Sequence, residues 1–119
     1  MNTISEVAGL RVLTCVPDHT TLAREQDALD LIGEAFGAEA TVVVVPADRV
    51  DDAFFTLSTR VAGDVVLKFT NYRVRLVVLG DISRHLDASE RFREFVREIN
   101  RGSDIWFVAD EEALAAKLS

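Results

Sequence analysis

The stretch VAGDVVLKFTNYRVRLVVLG, residues 61–80, decides the fold, because its first half reads two ways. Val61, Val65, Phe69 and Tyr72 share one helix face, whereas Val65, Leu67 and Phe69 also alternate as strand residues do. Its second half, VRLVVLG, is a continuous apolar run too short for a helix, and ATVVVVP, residues 40–46, is another, stopped by Pro46. Strands apolar on both faces are buried and pair in parallel, and parallel neighbours need a crossover of about a dozen residues, usually helical. The segment from Asp51 to Arg73 is therefore read as helical, with Gly63 allowing close approach to the sheet; a hairpin over residues 60–72 is the competing reading.

The rest of the chain fits around that unit. ISEVAGLRVLTCV reads as two strands turning at Ala8-Gly9, with the second, Leu10 to Val16, bounded by Pro17-Asp18. In REQDALDLIGEAFG, Ala28, Leu29, Ile32, Ala35 and Phe36 recur at helical spacing, and Gly37 stands where a helix end favours a left-handed residue. The segment from Leu86 to Gly102 reads as one helix with Phe92, Phe95, Val96 and Ile99 on a face, a capping box from Asp87 and Glu90, and Gly102 at its end. DIWFVA is a last strand, and DEEALAAKL a last helix capped by Asp110, with Lys117 in its final turn. The expected fold class is α/β: one domain over residues 1–119, a mixed, mainly parallel sheet of about five strands with an N-terminal hairpin, and four helices.

A chain of 119 residues, 49% of them hydrophobic, builds one core and is short for two domains. A net charge of −7 disfavours phosphate-backbone binding, so nucleic acid is not an expected partner. Cys15 is the single cysteine, which excludes an internal disulfide and a multi-cysteine zinc site. MNTISEVAGL has neither the basic stretch nor the apolar core of a signal peptide, and no later run could span a bilayer. A cytoplasmic protein without membrane attachment is the expectation.

Candidate chemistry gathers after the strand at residues 74–79. Ligands of open parallel sheets collect beyond the carboxyl ends of strands, and Gly80-Asp81-Ile82-Ser83-Arg84-His85 leaves such an end. Asp81 and Ser83 offer acceptors and a hydroxyl, and Arg84 and His85 offer cations or proton transfer; the ordinary reading is a turn capping the next helix. Asn71, Tyr72 and Arg73 precede the strand and so lie some 20 Å away, where they cap the preceding helix. Asp27, Asp30 and Glu34 form an acidic row without a histidine, read as a solvated helix face rather than a metal site. Glu90, Glu94 and Glu98 each precede an arginine by three residues, a self-paired face that leaves Arg84 and Arg91 as a small basic surplus. Cys15 with His19 lacks an orienting third group, so no catalytic set is complete. Trp106 must point away from the face of Ile105 and Phe107, either into a core or outward as the anchor of a homodimer. No cofactor or metal is expected.

The phrases EQDALDLIGEA, AGDVVLKFTNYRVRLVVLGDIS and FREFVREINRGSDIWFVADEEAL closely resemble the bacterial domain-of-unknown-function family 4180, over nearly the whole chain. That family carries no assigned activity; Leu67 and Ile99 stand where the resemblance leads one to expect glutamine and serine. The element order also looks like that of STAS domains, the anti-sigma-factor antagonists, which bind partner proteins and are often switched by phosphorylation of a serine at the start of the second helix. Ser58 and Thr59 occupy that place, in Leu57-Ser58-Thr59-Arg60 rather than the Asp-Ser-small-Gly of STAS domains. The resemblance implies a regulatory module with a protein partner. The alternative is a small-molecule-binding protein or weak enzyme with its site around Asp81.

Overall fold

Two consecutive residues of positive φ, Ala8 at 52° and Gly9 at 81°, reverse the chain in the tight turn that suits the twist of a hairpin. They join β1 (Asn2–Val7) to β2 (Leu10–Cys15), paired antiparallel with Ile4 opposite Leu13. In this computed structural model residues 2–16 and 18–119 are described; Pro17, read as the stop of the second strand, lies outside them, as does Met1. β2 is followed in the sheet by β3 (Val42–Pro46), β4 (Arg75–Leu79) and β5 (Ile105–Val108), all parallel and in chain order.

The helices are α1 (Glu25–Gly37), α2 (Asp52–Phe55), α3 (Val61–Tyr72), α4 (Ser83–Ala88), α5 (Glu90–Arg101) and α6 (Glu111–Leu118). Each crossover moves one strand further in the same direction, and crossovers are right-handed, so α1, α3 and α5 must all cover one face. That face carries the larger core, with Leu13, Val43, Val45, Leu76, Val78 and Ile105 of the strands beneath Ile32, Val65, Phe69 and Phe92 of the helices. The other face carries Val12, Val42, Val44, Val77, Trp106 and Val108, packed against Leu114 of α6. No described helix is long and apolar enough to cross a membrane.

Residues 61–72 are helical, as the parallel pairing requires, and Val65 and Phe69 are fully buried. Several details differ from the sequence reading. Tyr72 is 47% exposed and meets Phe36, also exposed, edge to face at 6.0 Å, because both sit at the ends of their helices beyond the sheet. Gly63 faces solvent, with nothing within 4 Å of a Cβ placed there, whereas its neighbour Ala62 is buried in the larger core. Gly37 is the last residue of α1, and the left-handed residue is Glu39, at φ 57°. Arg73 is left-handed at φ 57° and returns its N–H to the end of α3, so the Asn71–Arg73 segment does cap that helix.

Among the described residues there are six α-helices rather than four. The segment from Asp51 to Arg73 contains a short helix and a turn before α3, and the segment from Leu86 to Gly102 is interrupted at Ser89. Ser89, not Asp87, caps α5, its hydroxyl accepting from the Phe92 N–H at 3.1 Å. Of the three Glu–Arg pairs, Glu98–Arg101 is formed at 3.4 Å, while Arg93 donates to the Leu86 carbonyl at 2.6 Å, a group left free where α4 ends. Trp106 is buried: its N–H donates to the Gly102 carbonyl at 2.7 Å, and Arg75 and Lys117 lie 4.3 and 4.6 Å from its ring, so it is not an exposed anchor.

Candidate functional site

The carboxyl edge of the sheet is built by the exits of β3 and β4. β3 leaves through Pro46 into a turn at Ala47–Arg49, and Asp51 then caps α2 by accepting from the Ala53 N–H at 2.9 Å. Consecutive aromatics anchor that short helix: Phe54 and Phe55 are buried, within a cluster that includes Phe92 and Phe107. β4 leaves through Gly80 at φ 138°, a conformation L side chains avoid, and a Cβ there would stand 3.1 Å from that of Ala47.

Each candidate in Gly80–His85 has a partner. Asp81 accepts from the Ser83 N–H at 2.9 Å and from the Ser83 hydroxyl, and these bonds hold its exposed carboxyl below the usual carboxylate range. That is a turn closing on its own backbone ahead of α4. Arg84 pairs with Asp52 at 3.3 Å, both exposed. The His85 ring lies flat on Phe55, centroids 3.7 Å apart and planes 11° apart. Burial there, and then the Arg84 charge, depress its pKa against an opposing effect of Asp52.

Ser58 and Thr59 stand in a turn, Leu57–Thr59, ahead of α3 rather than at its start, because Arg60 intervenes at φ 65°. The Thr59 hydroxyl is committed: it donates to the carbonyls of Ala53 at 2.6 Å and Thr56 at 2.8 Å, and accepts from the Val61 N–H at 3.2 Å. Ser58 is exposed, and among the described residues its hydroxyl has no hydrogen bond. It lines a groove of about 490 Å³ with Leu57 on one wall and Arg91, Glu94, Phe95 and Glu98 of α5 on the other. A second hollow, of about 290 Å³, lies across α5, where Leu86, Val96, Phe107 and Val108 form apolar walls and Asp81 and Ser83 the rim.

The other candidates gather at the carboxyl end of β2, where Cys15, His19, Asp27, Asp30 and Glu34 line a separate hollow of about 170 Å³. Cys15 is buried, and desolvation, with Glu34 assisting, pushes its thiol up to about 11, the reverse of an activated nucleophile. His19 is exposed and bonded to Asp18 at 3.0 Å. In the acidic row, Asp27 accepts from the Ala23 N–H, Asp30 from Gln26 and Glu34 from Asn2. Among the described residues no group of three or more His, Cys, Asp and Glu is placed to hold a metal ion.

Two features of the edge were not read from the sequence: Phe55 as the seat of His85, and the groove that Ser58 and Arg91 line together. The adjacent pair Phe54-Phe55 behind two aspartates was the available signal for the first. The second joins residues far apart in the chain.

The fold and this edge define a small single-domain α/β protein with a five-stranded, mostly parallel sheet and solvent-open grooves beside one helix. The chain belongs to the family described as Domain of unknown function (DUF4180), which matches residues 7–118. Neither the curated proteins nor the solved structures give a match.

Proposed function

We propose that the protein is a cytoplasmic regulatory module of the STAS type that binds a protein partner at the carboxyl edge, with Ser58 as its phosphoacceptor. One observation carries the reading: an exposed hydroxyl and an arginine, Ser58 and Arg91, line one groove whose two walls carry the apolar Leu57 and Phe95. A phosphate on Ser58 adds a charge of about −1.5 to −2 to a groove that also holds Arg91, Glu94 and Glu98. The modification converts a mixed groove into an acidic one, and so changes the partner it accepts. Asp81, Ser83, Arg84 and His85 form the neighbouring rim and contact the same partner at its margin. The reading assigns no catalytic step, and the net charge of −7 directs it away from nucleic acid.

A photo-cross-linking residue placed at Leu57, in the full chain in its native cytosol, identifies the partner. The same residue at Leu67, exposed on α3, is the control. Affinity for the captured protein should then change about tenfold or more in both Ser58→Asp and Arg91→Glu, with melting temperature nearly constant, because among the described residues neither side chain has a bond to lose. Equal adducts from positions 57 and 67, or affinity indifferent to both substitutions, rejects the proposal.

A further inference from the structure

The sheet ends differently at its two edges. β5 is bonded to β4 through Asp104 and Val108, whose carbonyls accept from the Leu76 and Gly80 N–H groups at 2.9 Å, so the groups of Phe107 point outward. Asn100 of α5 closes that edge: its side chain accepts from the Phe107 N–H at 2.8 Å and donates to the Phe107 carbonyl at 3.3 Å. A further strand would need those same groups. Among the described residues β1, NTISEV, has no such cover; it is exposed from Asn2 to Glu6 and contains no Pro, Lys or Arg of the kind that blunts an edge.

The hydrogen-bonding phase of β1 follows from its turn. A two-residue loop makes Val7 and Leu10 a mutually bonded pair, so Ser5 and Thr3 also face β2, and the N–H and C=O groups of Asn2, Ile4 and Glu6 point away from it. Arg11, opposite Glu6, confirms that phase from the far side, because its carbonyl accepts from the Thr41 N–H at 3.1 Å, towards β3.

We infer that β1 pairs antiparallel with β1 of a second copy of this chain, about a two-fold axis at Ile4, to give one sheet running through both copies. In that register Ile4 faces the second copy's Ile4, and Asn2 faces its Glu6. Every outward group is used, with about two hydrogen bonds per mutually bonded pair, and a shift of two residues either way leaves one of those residues unmatched. The side chains agree with the backbone. Ile4, 46% exposed on the face of α1, is covered by its own copy. The Asn2 amide donates one N–H to Glu34 and has a second for the Glu6 carboxylate of the other copy. A strand of another protein could use the same backbone groups, but the amide-to-carboxylate match on either side of a central Ile–Ile contact is a self-match, the mark of a two-fold interface. Because both copies carry −7, screening strengthens the pairing.

Sedimentation velocity on the full chain tests this. The wild type should shift from monomer to dimer within about 10–500 μM, more readily at about 0.5 M than at about 0.05 M salt. Ile4→Pro removes the central outward N–H from a position that does not bond β2, and Ile4→Lys sets like charges opposite each other; each should weaken the dimer about tenfold or more while dilute protein keeps its melting temperature. Leu67→Ser, which removes an exposed apolar side chain from α3, should leave the dimer intact. A wild type monomeric throughout that range, or a dimer that survives both Ile4 substitutions, overturns the inference.

Discussion

His85 shows what a single residue gains and loses by its seat. Its ring lies on Phe55, so a proton must be taken up against an apolar surface and next to Arg84, and its folded pKa falls below the ordinary value of about 6.5. The unfolded chain therefore binds the proton more readily than the folded one between those two values. The stability this residue contributes is complete above about pH 6.5, is lost as pH falls to the folded pKa, and does not change further below it. An NMR titration of the ring should give a midpoint below that of a free histidine, raised by Arg84→Gln and lowered further by Asp52→Asn, since Arg84 depresses it and Asp52 opposes that effect. A midpoint at or above the ordinary value contradicts the stacked geometry. The roles of Asp81 and Ser83 as turn residues were legible, because a carboxylate two residues ahead of a helix bonds its own backbone. The seat of His85 was not, because Phe55 lies thirty residues earlier in the chain and the spacing of neither residue points to the other.

Elements were legible where burial imposes a pattern and obscure where only local geometry does. ATVVVVP and VRLVVLG could be nothing but buried strands, and their parallel pairing decided the ambiguous helix between them. The break between α4 and α5 left no such mark: residues 86–102 contain no proline and no glycine before Gly102, and their apolar spacing runs on unbroken. Ser89 is extended there, at φ −149° and ψ 118°, and serves as the cap, while Arg93 satisfies the Leu86 carbonyl that the break exposes. The sequence Asp87-Ala88-Ser89-Glu90 offers two capping residues, and pattern alone does not choose between them. Ser89→Ala should cost about 1 kcal/mol in urea unfolding, as losses of a helix cap do, and Asp87→Ala should be near neutral. The reverse order would place the helix start at Asp87.

At the scale of the whole molecule, strand order dictates an imbalance. Three successive right-handed crossovers in one direction place every crossover helix on one face, and the second face has α6 and the long side chains of Arg75 and Lys117 over Trp106. Alternation along DIWFVA foretold that Trp106 would face away from its neighbours. It could not foretell that one short terminal helix would cover that side. α6 buries Leu114 and, in part, Leu118, whereas the opposite face is held by the fully buried Phe54, Phe69 and Phe92 together. α6 should therefore undock at a lower free energy than the rest of the domain unfolds. Leu114→Ala removes its main anchor, at about 2–4 kcal/mol, and should separate the two events: in urea the Trp106 emission should shift to the red before helical circular dichroism is lost. In the wild type the transitions should lie closer together. Superposed transitions in Leu114→Ala would mean that the two faces of the sheet unfold as one unit, with the strands between them transmitting the loss of α6 to the larger core.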